Sequence, residues 1–163
     1  MVTPPINKHL ALYPGTFDPF TFGHLDIVER ALRAFDAVEV TVAVNASKRA
    51  LLSTEERCEL IRRCTVHLDG VTVASFEGLL VDYARMRRAG ALVRGLRQLS
   101  DFDYEFRMAF ANRKLYPELE TVFLMTSEAH ALISSTIVRD VYRWGGDLSA
   151  FVPSPVLEAL QKK

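Results

Sequence analysis

The sequence has little cysteine, no surplus of either charge and no long apolar run, and each lack removes a class of protein. Two cysteines occur in 163 residues, Cys58 and Cys64. Both fall in one predicted helix, where their spacing is ~9 Å of rise, too far for a disulfide. They read as buried thiols of a reducing compartment, and no Cys/His grouping has the spacing of a zinc site. Twenty Lys and Arg balance twenty Asp and Glu. A net charge of zero excludes the broad basic field that holds nucleic acid or an anionic membrane surface, so neither partner is expected. No segment approaches the ~20 apolar residues of a membrane span, and Met1 to Lys8 has no apolar leader core. The expected compartment is the cytoplasm. Neither G-x-G-x-x-G nor G-x-x-x-x-G-K-[ST] is present, which excludes the standard dinucleotide fingerprint and the P-loop. No nucleophile with an evident base is found either.

What is present is an ordinary globular composition, 49% hydrophobic and 25% charged, in a length that suits one domain over residues 1–163. Short β-branched runs alternate with stretches of helical period. His9–Tyr13, Val38–Val44, Val71–Phe76, Ala91–Arg94 and Thr121–Met125 read as five strands. Ile27, Val28, Ala31, Leu32 and Phe35 form one apolar helical stripe, and Leu60, Ile61, Cys64 and Leu68 a second. The second helix opens on a capping box, Ser53-x-x-Glu56. Further helices are expected from Leu79 to a stop at Gly90, from Phe102 to Leu115, from Ser135 to Gly145-Gly146, and from Val156 to Gln161. The alternation predicts an α/β fold: a doubly wound, five-stranded, mostly parallel sheet with helices on both faces.

In such sheets ligands bind beyond the carboxyl ends of the strands. There the sequence places Gly15-Thr16-Phe17-Asp18-Pro19, Thr21-Phe22-Gly23-His24, the cation Lys48, Arg94-Gly95-Leu96-Arg97 and Ile133-Ser134-Ser135-Thr136. Taken singly, each has a plain structural reading. His24 can be a cap or core histidine, Thr16 and Asp18 turn residues, the cations solvated surface, and the Ser/Thr run an N-cap. Together, cations, hydroxyls, glycines and helix N-termini converge at one end of the sheet, which suits a phosphate-rich ligand. Glu105 can accept hydrogen bonds from a ribose, and Asp101-Phe102-Asp103-Tyr104-Glu105 also complements a helix N-terminus. His130 lies where it can edge a nucleotide pocket, Arg139 can serve the site or the solvent, and His9 and His67 read as structural.

These motifs resemble those of bacterial phosphopantetheine adenylyltransferases, nucleotidyltransferases with a T-x-G-H signature and a Rossmann-like fold. The likeness runs from about Leu10 to Leu160 and includes D-F-x-Y-E at Asp101–Glu105, Asn112-Arg113 and Pro117-Glu118-Leu119-Glu120. It implies transfer of an adenylyl group from ATP to 4′-phosphopantetheine, giving dephospho-coenzyme A and pyrophosphate, with Mg2+. It also implies a homohexamer inhibited by coenzyme A. By the same resemblance His24, Lys48 and Arg94 carry the chemistry. ATP is held by Thr16, Phe17, His24, Gly95, Leu96, Arg97, Glu105 and the run His130, Ala131, Leu132, Ile133, Ser134, Ser135, Thr136. The acceptor is held by Thr16, Lys48, Leu80, Arg94 and Asn112. The chain departs from the family at His130, commonly aromatic there, and at Thr136, commonly serine. Two other readings remain open: a nucleotidyltransferase for another phosphorylated acceptor, such as nicotinamide mononucleotide or glycerol phosphate, and a silent nucleotide-binding regulator.

Overall fold

The computed structural model describes residues 7–44 and 50–163. Five strands alternate with helices: β1 (Asn7–Gly15), α1 (Phe22–Ala31), β2 (Ala37–Ala43), α2 (Thr54–Thr65), β3 (Val71–Phe76), α3 (Leu80–Arg87), β4 (Ala89–Leu96), α4 (Leu99–Leu115) and β5 (Glu120–Met125). A short 3-10 turn (Glu128–His130), α5 (Ser135–Arg143) and α6 (Ser154–Gln161) complete it. Every pairing is parallel, and the strand order is β3-β2-β1-β4-β5. This is the expected doubly wound α/β sheet. The order reverses between β1 and β4, and that switch point opens the crevice used below.

The alternation of side chains along the strands sorts the two faces. Ala11, Tyr13, Val38, Val40, Val42, Ala91 and Val93 point to one side and pack under α1, α2, α5 and α6, through Ile27, Val28, Ile61, Val138, Val156 and Leu160. Leu12 and Leu92 point to the other side, against Val81 and Ala84 of α3 and against Tyr116 and Leu119. On that second face β2 carries a fully buried Glu39, which accepts the Tyr83 hydroxyl at 2.6 Å and pairs with Arg87. A buried carboxylate is tolerated because both oxygens are engaged.

The capping box of α2 forms as read, with Ser53 N–H donating to Glu56 Oε2 at 2.7 Å and Glu56 N–H to Ser53 Oγ at 3.1 Å. The end of α3 differs from expectation. Arg88, not Gly90, takes the left-handed cap conformation (φ 56°), and β4 begins at Ala89 and absorbs Gly90. Tertiary pairing of Ala89 with Asn7 starts the strand there and overrides the preference for glycine at a helix end. Likewise Pro14 and Gly15, which read as a turn, still belong to β1, because Gly15 stays in register with Val42.

Candidate active site

The carboxyl ends of β1 and β4 and the N-termini of α1 and α5 enclose a cavity of about 740 Å³. Thirteen of the expected residues line it: Thr16, Phe17, His24, Arg94, Gly95, Arg97, Glu105 and the run Ala131–Thr136. Tyr13, Gln98, Asp101, Tyr104, Thr126 and Arg139 line it as well. Lys48 lies outside the described residues. Leu80 packs its side chain against the second-face core, and Leu80, Leu96, Asn112 and His130 are not among the lining residues. Leu96 uses its carbonyl to hold Thr126 N–H at 3.2 Å. His130 sits behind the wall, stacked on Phe22 with centroids 5.8 Å apart.

The motif around His24 folds as a capping box. Thr21 is the N-cap, its Oγ1 accepts His24 N–H, and its own N–H donates to His24 Nδ1 at 3.0 Å. An N–H aimed at Nδ1 makes that nitrogen an acceptor, so the imidazole proton resides on Nε2. The described residues provide no acceptor for that Nε2–H, and the ring borders the cavity. Phe20 stacks on the ring at 5.5 Å and Phe17 meets it edge-on at 5.1 Å. Burial, and then the Arg97 and Arg94 charges, push the His24 pKa down to about 3. The ring is therefore a neutral donor at physiological pH, fixed in tautomer and orientation.

Two glycines make this packing possible. A Cβ on Gly15 would lie 2.8 Å from Cζ of Phe17, whose ring folds back over the strand end. One on Gly95 would meet Cγ1 of Ile27 at 3.0 Å, so that the Ile27 side chain would have to give way.

Arg94 is held from two sides. Its Nε and Nη2 donate to the two carboxylate oxygens of Glu105, and Nη1 donates to the Pro14 carbonyl at 2.7 Å. Arg97 is exposed and contacts Asp101 Oδ2 at 3.3 Å. At the opposite wall Ser134 Oγ caps α5 by accepting Ile137 N–H at 3.2 Å, and Ser135 Oγ donates to the Pro19 carbonyl at 2.9 Å. Arg139 donates to the Asp18 carbonyl and to Thr136 Oγ1, and it lines the cavity. Asp18 ties its loop to the residues before α2. Its buried Oδ1 and Oδ2 accept the N–H groups of Leu52 at 2.9 Å and Leu51 at 2.8 Å.

Two positioning residues escaped the sequence reading. Arg57 reaches across from α2 to the Thr16 carbonyl. Asp26 accepts Ser127 N–H at 2.8 Å and Arg30 Nε at 3.0 Å, tying α1 to the loop after β5. Both look like ordinary surface charges of helices in the sequence. Nothing but the fold reveals their partners.

A parallel sheet with a cation-rich, anion-ready crevice at its switch point defines the class: an α/β nucleotide-binding domain. Residues 12–141 match the cytidylyltransferase-like family, and the chain belongs to that family of nucleotidyltransferases. Its fold is also that of a provisionally assigned nicotinate-nucleotide adenylyltransferase from Vibrio parahaemolyticus, with a TM-score of 0.66 and 21% identity. The match covers 94% of this chain and 99% of that one. None of the described helices is long and apolar enough to cross a membrane.

Proposed function

We propose that this nucleotidyltransferase moves an adenylyl group from ATP to 4′-phosphopantetheine, forming dephospho-coenzyme A and pyrophosphate. The observation that carries the reading is the convergence on one cavity of a neutral Nε2–H of His24, the guanidiniums of Arg94, Arg97 and Arg139, and the N-terminus of α5. The motifs R-G-L-R and D-F-x-Y-E, brought face to face by the Arg94–Glu105 pair, support the choice of acceptor through the family resemblance.

The acceptor phosphate is already an anion and requires no base. The obstacle is to bring two polyanions together and keep the attack in line on the α-phosphorus. Arg94, with Lys48, which follows β2 in the sequence, would neutralise the repulsion between acceptor and α-phosphate. His24 Nε2–H would donate to the oxygens where charge grows, and Arg97 and the α5 N-terminus would hold the leaving phosphates. The oxygen of the acceptor phosphate bonds to the α-phosphorus as the bond to pyrophosphate breaks. The described residues hold no cluster of acids able to cage Mg2+, and the carboxylates of Asp18, Asp101 and Glu105 are each engaged by the protein. Magnesium, which the resemblance implies, would on this reading take most of its ligands from phosphate and water. The homohexamer, inhibition by coenzyme A and a cytoplasmic setting belong to the same reading.

A second acceptor, nicotinate mononucleotide, is suggested by the Vibrio fold relative, beside the nicotinamide mononucleotide left open by the sequence. One assay separates the two. Pyrophosphate release from ATP and magnesium should be robust with 4′-phosphopantetheine and absent with either mononucleotide, glycerol phosphate or unphosphorylated pantetheine. Loss of the acceptor phosphate removes charge-assisted hydrogen bonds of about 1.5–3 kcal/mol each. Release with a mononucleotide alone would overturn the acceptor and keep the chemistry. Release with none would leave a nucleotide-binding regulator.

A further inference from the structure

Arg57 lies on the buried side of α2 and is only 6% exposed. Its guanidinium makes three hydrogen bonds, to the Thr16 carbonyl at 2.8 Å, to Thr54 Oγ1 at 3.0 Å and to the Ser53 carbonyl at 3.3 Å. All three acceptors are neutral. No carboxylate comes within salt-bridge distance of Arg57 among the described residues; the exposed Glu55 feels its charge only through solvent, and the stretches 1–6 and 45–49 contain no acid. Asp18, near it in the fold, spends its oxygens on Leu51 and Leu52 N–H. A buried cation without an anion is costly, and proteins seldom keep one unless an anion arrives.

The bond to Thr16 shows where that anion would bind. In a trans peptide the carbonyl of Thr16 and the N–H of Phe17 point in opposite directions. Arg57 draws the carbonyl toward α2, which turns the N–H to the other side of the loop. Phe17 sits at φ 48°, a left-handed conformation that a bulky residue adopts only under constraint. No protein acceptor takes its N–H among the described residues, and Gly15, Thr16 and Phe17 all border the cavity.

We propose that Arg57 is a positioning residue of the phosphate site: it clamps the Thr16–Phe17 peptide so that its N–H faces the cavity, and its charge is balanced by the polyphosphate that binds there. The inference rests on the reading that this cavity takes nucleotide phosphates, and deepens it. A clamp of this kind acts on any pyrophosphate-bearing ligand, whatever the acceptor.

The test is calorimetric titration of the full chain with inorganic pyrophosphate, at a temperature where each variant is folded. Arg57→Gln should weaken pyrophosphate binding roughly tenfold or more, and Arg57→Lys, which returns the charge without the fork, should recover at least about half of that loss on a logarithmic scale. A residue that merely supports the fold would lower the melting temperature of Arg57→Gln and leave the affinity of the folded protein unchanged. Unchanged affinity, or a lysine variant as weak as the glutamine one, overturns the proposal. Should both Arg57 variants fail to fold, Thr54→Val decides. It releases Nη2 but keeps the guanidinium, and is expected to weaken pyrophosphate about two- to fivefold; no change overturns the clamp. Failure of the unaltered protein to bind pyrophosphate would remove the nucleotide reading of the cavity and Arg57 with it. Binding that is indifferent to Arg57 removes the clamp alone.

Discussion

Arg94 and Glu105 meet fork to fork across the floor of the cavity, with Nε to Oε2 at 2.7 Å and Nη2 on Oε1. Glu105 is 12% exposed and Arg94 28%, so the pair is partly shielded from water. The proposed reading gives them to different ligands, Arg94 to the acceptor phosphate and Glu105 to the ATP ribose. In the structure they satisfy each other, and neither charge is left unpaired.

That pairing should be measurable. A double-mutant cycle of Arg94→Met and Glu105→Gln, followed by urea unfolding, is expected to give a coupling of about 1–3 kcal/mol. Each single change strands a partly buried charge, so each alone should cost more than the mutual energy suggests. Independent, additive effects would show that the contact contributes nothing beyond geometry.

His24→Ala should lower turnover about 10²–10³-fold while leaving ATP affinity nearly unaltered. The Nε2–H is poised for charge that exists only as the α-phosphate reorganises, so its removal acts on the transition state. Steady-state rates with 4′-phosphopantetheine, alongside ATP titration of the same preparation, check this. Near-normal turnover in a folded variant would remove His24 from the chemistry.

The same residue should leave a signature in stability against pH. Its folded pKa, pushed down to about 3 by burial and then by Arg97 and Arg94, lies below the ordinary value of 6.5. The unfolded chain therefore takes up the proton first. The His24 contribution is fully present above the unfolded value and is lost as pH falls from there toward about 3. Its slope is at most ~1.4 kcal/mol per pH unit. Comparing urea unfolding of the unaltered protein with His24→Gln across this window isolates the effect from the carboxylates. The stability difference should shrink as pH falls, and a constant difference would mean the ring titrates normally.

The number and order of elements were legible because periodicity reports burial directly, and every strand and helix read from it is present. Boundaries set by long-range pairing were not. Nothing local to Arg88-Ala89-Gly90 announces that the strand starts at Ala89, since its partner, Asn7, is remote in sequence. The site was legible where loops follow strands, since topology alone brings Thr16, His24, Arg94 and Ser134 to one end. Asp18 shows the limit. It reads as a turn residue, and nothing local announces that its carboxylate anchors Leu51 and Leu52 N–H, 33 and 34 residues away. Arg57 shows it again: a helix cation reads as solvated until its fold-borne partner, Thr16, is seen.

The placement of β1 between β2 and β4 has a consequence for how the chain comes to life. As the N-terminal half leaves the ribosome, β1 can pair with β2 at once, but its other edge stays open until β4 is made. An unpaired edge on a central, apolar strand is a template for wrong partners. The pocket walls close later still, through contacts from Arg94 to Pro14 (80 residues apart), Ser135 to Pro19 (116) and Arg139 to Asp18 (121). Ligand binding cannot therefore rescue a half-made chain. The newborn protein passes through a period in which an edge of its central apolar strand is bare and the cavity has no walls, and delivery of β4 ends the first of these.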